Sequence, residues 1–296
     1  MYGPDAVGRG HADPIEVSRA LWMVQDTIIV SDVTLTVPRG QRVVILGPNG
    51  AGKSSLLKLM GLMMQPNTGA VRVFGQDPWS MGAAGMRSVR TRLGWIPQGL
   101  QVVGRLSVLN NAVLGSLARV PPWKTLFGWF PETEMENARQ ALKAVGMSDK
   151  MDRRTDTLSG GERQKVAIAR ALVQGGDILL ADEPTAALDP VASVEMMRLI
   201  RDLTRERNLT TVAVLHDIDL AMEFADRIIG MNEGRVVLDL PAAQVEREQL
   251  DRLYHHLPPE KGLNETAAAG ARPPGVARRT GKAVLRLLSG KDTDGG

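Results

Sequence analysis

The chain has 296 residues, of which 43% are hydrophobic and 23% charged, and it contains no cysteine. That is enough for one large domain or two modest ones with a real core, and it excludes fibrous, disulfide-framed and wholly disordered chains. The formal net charge of +3 is accounted for by residues 257–296, where seven basic side chains meet four acidic ones. The pI of about 9.3 therefore reports a basic end, and the near-neutral body lacks the footprint that binding to a phosphate backbone requires, so no nucleic-acid partner is expected.

No run approaches the ~18 consecutive apolar residues that span a bilayer. Residues 1–14 are broken by glycine and proline and carry Asp5 and Asp13 where a signal peptide needs an apolar core. The expectation is a cytoplasmic chain with a flexible N-terminus over 1–14, and the absence of cysteine fits a reducing compartment.

From residue 15 to 256, short β-branched runs alternate with longer amphipathic segments, an α/β pattern without internal repeats. Arg42 to Leu46 reads as a buried parallel strand. It runs into Gly47-Pro48-Asn49-Gly50-Ala51-Gly52-Lys53-Ser54, which matches a phosphate-binding loop, with a helix predicted over Ser55 to Met60. Glycines let successive N–H groups turn inward around phosphate oxygens, and the helix N-terminus adds a favourable field. In such a loop Lys53 reaches the β- and γ-phosphates of ATP, Ser54 ligates Mg²⁺ through its hydroxyl, and Ser55 follows at the start of the helix.

Residues from about 91 to 156 are richer in helix formers and hold the cluster Trp123, Phe127, Trp129 and Phe130. This stretch reads as a helical insertion. A second buried strand, Asp177 to Ala181, ends in Asp182-Glu183: Asp182 suits a metal shell, and Glu183 is placed to orient or deprotonate an attacking water. The third, Thr210 to Leu215, is followed by His216, which should reach the C-terminal edge of the sheet, where ligands bind in such folds. Asn232-Glu233-Gly234 is a turn, Arg235 to Leu238 a short strand, and a polar helix follows. Residues 257–296 form a basic Pro/Gly/Ala-rich tail, expected to be mobile. Within it Val284, Leu285, Leu287 and Leu288 oppose Arg278, Arg279, Lys282 and Arg286 in a short amphipathic pattern suited to anionic lipid.

Leu158-Ser159-Gly160-Gly161-Glu162-Arg163-Gln164 resembles the signature motif of ABC-transporter ATPases. The remaining elements stand in that family's order, with Gln98 as the Q-loop glutamine, Ala187-Leu188-Asp189 as the D-loop and His216 as the switch histidine. The resemblance covers residues 15–256. It implies an α/β cassette: a P-loop core with a mostly parallel sheet, an antiparallel β subdomain and an inserted helical subdomain. It also implies a dimer with two ATP molecules sandwiched between subunits, each bound by the phosphate loop of one chain and Ser159, Gly160 and Gly161 of the other, with Asp189 nearby. Gln98 joins both the metal shell and the catalytic group. Trp22 is the nearest candidate for the adenine-stacking aromatic, although alignment puts Val24 at that place. Lys165 and Ala51 depart from the commoner arginine and serine.

Val102 to Asn110, Trp123 to Phe130 and Leu215 to Ala221 look like the phosphonate-importer branch of these ATPases. That resemblance implies transmembrane permease subunits, an extracytoplasmic oxyanion-binding protein acting through them, and a peripheral position on the cytoplasmic face of the cell membrane. The expected cargo is phosphonate, phosphite or phosphate. An importer of metal chelates or amino acids is the runner-up. A non-transport ABC ATPase would carry a coiled-coil insertion or two cassettes, and a soluble P-loop kinase would lack the signature. The aromatic cluster is either the small core of the insertion or part of the face that meets the membrane subunit.

Overall fold

The computed structural model describes residues 12–99, 101–186 and 188–255. Two strands open it, β1 (Ile15–Val24) and β2 (Thr27–Val37), joined by a tight turn in which Gln25 takes φ +52°. They pair antiparallel, and β4 (Thr68–Val73) joins the other edge of β1, giving the order β2-β1-β4. Between them in sequence lie β3 (Arg42–Leu46) and α1 (Lys53–Met60).

The second sheet has the order β5-β6-β7-β3-β8-β9, with β5 (Leu93–Ile96), β6 (Ile178–Asp182), β7 (Thr210–Val214), β8 (Arg227–Asn232) and β9 (Arg235–Pro241). All neighbours in it run parallel except β9, which returns antiparallel to β8. Its central strands β3, β6 and β7 are buried almost throughout because both faces are covered, whereas the edge strand β9 alternates exposed and half-buried residues. In β3, Val43 and Ile45 face one core, shared with α1 and the antiparallel sheet, while Val44 and Leu46 face the other. Leu179 and Ala181 of β6 and Ala213 and Leu215 at the end of β7 join that second core, as period-two alternation requires.

Helices α3 (Val108–Val113), α5 (Glu132–Ala144), α6 (Gly160–Gln174), α7 (Pro190–Glu206) and α8 (Ile218–Phe224) contribute to the second core. Two short helices, α2 (Gly82–Arg90) and α4 (Pro122–Leu126), and the last one, α9 (Arg247–His255), complete the described chain.

One expectation changes, and one of the two readings left open for the aromatic cluster is excluded. The helical insertion does not begin near residue 91, because Leu93–Ile96 pairs with β6 residue for residue as an edge strand of the main sheet; the first helix of the insertion starts at Val108. Nor is the aromatic cluster an interior core. Trp123, Phe127 and Trp129 are 57%, 70% and 66% exposed, beside Leu126 at 81%, and only Phe130 packs onto the core. The expected strands end within one to three residues of the observed ones, and the helix after the phosphate loop starts at Lys53 rather than Ser55. Most of the N-terminal segment 1–14, Ala187 of the D-loop and the tail from 256 onward lie outside the described residues.

Candidate active site

Four strands deliver the site from their C-terminal ends. The phosphate loop leaves β3, Gln98 follows β5, Asp182 and Glu183 end β6, and His216 lies just past β7. In an open α/β sheet this edge is where ligands bind, since the loops leaving the strands and the helix N-termini that follow them converge on one crevice.

The loop itself is pinned by close backbone approaches. Gly47 has φ +149°, and a Cβ there would lie 2.1 Å from the Met231 carbonyl oxygen; Gly52 has φ +93°, and its Cβ would lie 2.4 Å from the Ile29 oxygen. No side chain fits at either place. Ala51 fills a buried position, its carbonyl accepting from Gly234 N–H at 3.0 Å, while Asn49 and Gly50 stand exposed at the tip. Lys53 folds back into the loop, 5% exposed, and donates to the carbonyls of Gly47 at 2.7 Å and Pro48 at 3.0 Å. Burial pulls its ammonium below the ordinary lysine value, opposed by the carboxylates of Glu183 and Asp182.

Those carboxylates complete the constellation. Ser54 Oγ donates to Asp182 Oδ1 at 2.8 Å. Asp182 is 2% exposed, and burial raises its pKa above the ordinary aspartate value, the Ser54 hydrogen bond working the other way. Gln98 Nε2 donates to Glu183 Oε2 at 2.9 Å, and His216 Nε2 lies 2.6 Å from Glu183 Oε1. Glu183 takes a left-handed backbone, φ +50°, a conformation that costs a non-glycine residue about 1–2 kcal/mol. Its N–H donates to Val214 O at 3.1 Å, which ties the turn after β6 to the neighbouring strand. A hydroxyl, a carboxylate and an amide oxygen are hard donors suited to Mg²⁺, which takes few protein ligands and fills its shell with phosphate and water.

Lys53, Ser54, Gln98, Asp182, Glu183 and His216 are thus brought together with the rest of the phosphate loop, whereas Ser159, Asp189 and Trp22 make their contacts elsewhere. Ser159 caps α6: its Oγ accepts from Glu162 N–H at 3.3 Å while Glu162 Oε2 accepts from Ser159 N–H at 2.8 Å, a reciprocal capping box. The cleft of about 510 Å³ that Ser159 and Gly161 line contains none of the phosphate-loop residues. Asp189 spends its carboxylate capping α7, accepting from Ala192 N–H at 2.9 Å. Trp22 is half-buried, packed on the core under the antiparallel sheet, whereas Val24 is 46% exposed.

Sequence reasoning missed two participants. Lys150 forms an ion pair with Glu162, which holds that carboxyl far below its ordinary value, at about 2, with the Ser159 N–H second. Tyr254 accepts a hydrogen bond from Gly47 N–H at 3.3 Å. The capping-box spacing of Ser159 and Glu162 is visible in sequence; their partner Lys150 and the tyrosine carry no local signal.

A phosphate loop, an acidic strand end and a glutamine–glutamate–histidine hydrogen-bond chain on one sheet edge, with an antiparallel sheet on one face and helices on the other, define an ATPase of the ATP-binding-cassette class. The family model for ABC transporters matches residues 30–186, and the chain belongs to that family as an ATP-hydrolysing cassette. The chain is 40% identical over 248 residues to the Phosphonates import ATP-binding protein PhnC 1 of Rhodopseudomonas palustris (strain HaA2), covering 84% of this chain and 89% of that one. It is 42% identical over 233 residues to its namesake PhnC of Maricaulis maris (strain MCS10), covering 77% and 88%. Among solved structures it is similar to cbiO1 from Clostridium perfringens, part of the ABC transporter complex cbiONQ, with a TM-score of 0.70 at 28% identity over 81% of this chain and 92% of that one. A dimeric post-hydrolysis state of the ATP-binding cassette MJ0796, bound to ADP and Pi, gives a TM-score of 0.67 at 28% identity over 77% and 98%.

Proposed function

We propose that this chain powers an importer of phosphonate or a related phosphorus oxyanion. It works as a dimer on the cytoplasmic face of the membrane, beneath permease subunits that receive cargo from an extracytoplasmic oxyanion-binding protein. What carries the ATPase part of the reading is one observation, the hydrogen-bond chain from Gln98 through Glu183 to His216 beside Ser54 and Asp182. What supports the cargo is the name borne by relatives that align with most of this chain.

In this reading the N–H groups from Gly50 to Ser54 and the Lys53 ammonium, released from the Gly47 and Pro48 carbonyls, bind the β- and γ-phosphates of ATP. Ser54, Asp182 and Gln98 would hold Mg²⁺, which would offset the charge of the phosphates. Glu183 orients a water in line with the γ-phosphorus and takes its proton as the new P–O bond forms and the bond to ADP breaks. His216 and Gln98 fix the two carboxylate oxygens, so the base is preorganised rather than free to rotate. Ser159 and Gly161 of the second copy close the site over the γ-phosphate, the Ser159 hydroxyl proton remaining available because its cap uses only an oxygen lone pair. The exposed Trp123, Leu126, Phe127 and Trp129 face the permease; an apolar group of that kind on a surface marks an interaction site.

The test is ATP turnover by the chain assembled with its permease and presented with binding proteins loaded with phosphonate, phosphite, phosphate, a metal chelate or an amino acid. Stimulation by a phosphorus oxyanion supports the reading. Stimulation by chelate or amino acid alone moves the assignment to another importer.

A further inference from the structure

The phosphate loop is held from outside by a residue 207 positions away. β3 ends with Leu46 paired to Gly230 of β8, and Gly47 is the first residue past that pairing. α9 seats on the same spot. Leu250 and Leu253 are buried, and Leu253 lies so near Gly230 that a Cβ there would be 3.1 Å from its Cδ2. The next residue, Tyr254, packs its ring against the core and sets its hydroxyl 3.3 Å from the Gly47 N–H. The carbonyl of the same glycine receives the Lys53 ammonium at 2.7 Å. A single residue, pressed against the Met231 oxygen where no side chain fits, therefore takes the tyrosine on its nitrogen and the phosphate-binding lysine on its oxygen.

We propose that Tyr254 is a positioning residue for the phosphate loop, fixing the Gly47 peptide and through it the cradle in which Lys53 meets the nucleotide. A tyrosine pressed into a core keeps a partner for its hydroxyl, and here the partner is the N–H that marks the end of the strand. Burial pushes the phenol above its ordinary value, with the Asp217 carboxylate adding to the effect and the Gly47 contact opposing it. The hydroxyl thus stays neutral throughout the working range, and its hold on the loop does not vary with pH. The contact acts on ground-state geometry, so its loss should appear in nucleotide affinity.

Binding of ADP with Mg²⁺ to the full chain, with the melting temperature measured without nucleotide, tests this. Tyr254→Phe removes only the hydroxyl and should weaken ADP binding about two- to tenfold, the span of one net hydrogen bond, while lowering the melting temperature by only about 2–4 °C, since the bond is also made without nucleotide. Tyr254→Ala should weaken ADP by a similar factor and lower the melting temperature further, because it also removes buried ring. Equal ADP affinity in the parent and Tyr254→Phe overturns the proposal. So does a loss of affinity that tracks the melting temperature across the two variants, which would make Tyr254 a packing residue only.

Discussion

Glu183 Oε1 lies 2.6 Å from His216 Nε2, although the two residues end different strands and stand 33 positions apart. The contact exists because β6 and β7 are parallel neighbours in register, Asp182 opposite Val214, so both chains leave the sheet at the same level. Glu183 then turns through a left-handed backbone and presents its carboxylate across the sheet edge rather than along it.

Glu183→Gln keeps the shape of that side chain and both of its neighbours but removes the base. ATP binding should stay within about twofold of the parent, while turnover of the assembled transporter falls about 10²- to 10⁴-fold, the usual worth of a positioned general base. Single-turnover hydrolysis checks this, and a variant retaining turnover within a few fold of the parent would remove Glu183 from the role.

Asp182 carries a built-in cost. Its pKa is raised by burial, so the penalty is present above the folded value and is relieved as pH falls through it. Asp182→Asn should therefore raise the nucleotide-free melting temperature by a few degrees at pH 7, the advantage shrinking toward acid. The same variant should lose most of the extra thermal protection that Mg²⁺ adds to ATP. Differential scanning with and without the metal reads both effects.

Trp123, Phe127 and Trp129 project from the helical region with 57–70% of their surface exposed. Replacing all three with serine should leave stability within about 0.5 kcal/mol per site, as for surface positions, and ADP affinity unchanged. Co-purification with the permease should fall at least about tenfold, the effect of losing an aromatic anchor of about 1.4 kcal/mol or more. Unchanged association would assign these side chains elsewhere.

Glu162 is held at about 2 against an ordinary 4.5, first by Lys150. A depressed carboxyl contributes stability that is complete above its unfolded value and lost as pH falls from about 4.5 toward 2. Glu162→Gln should therefore be less stable near neutrality, by under about 1 kcal/mol for a half-buried pair still screened by solvent, and should show a shallower loss across that acid window. Urea titrations at pH 7 and pH 3.5 measure the difference, and parallel acid limbs in parent and variant would contradict it.

What the sequence made legible was local. The phosphate loop, the acid pair after an apolar strand and the serine-glycine signature each span under ten residues, and in the phosphate loop Gly47 and Gly52 stand where only glycine fits. β5 was hidden because Leu93-Gly94-Trp95-Ile96 is only four residues long and has no β-branched run. The exposure of Trp123, Phe127 and Trp129 could not be read either, since composition alone does not separate a small core from a docking face. Tyr254 and Lys150 were invisible for a different reason. Each acts on a residue brought near by the fold, over 207 and 12 positions, with no periodicity linking the two.

The proposed function requires each ATP site to be built from two copies of this chain, the phosphate loop of one and the signature of the other. The chain has no cysteine, so Asn49→Cys and Thr157→Cys, both at exposed positions, can be introduced into separate copies of the Glu183→Gln variant and treated with a short thiol crosslinker. A covalent dimer should form with ATP and Mg²⁺ and not without nucleotide. Crosslinking that never joins two chains, in protein shown to bind ATP, would contradict it.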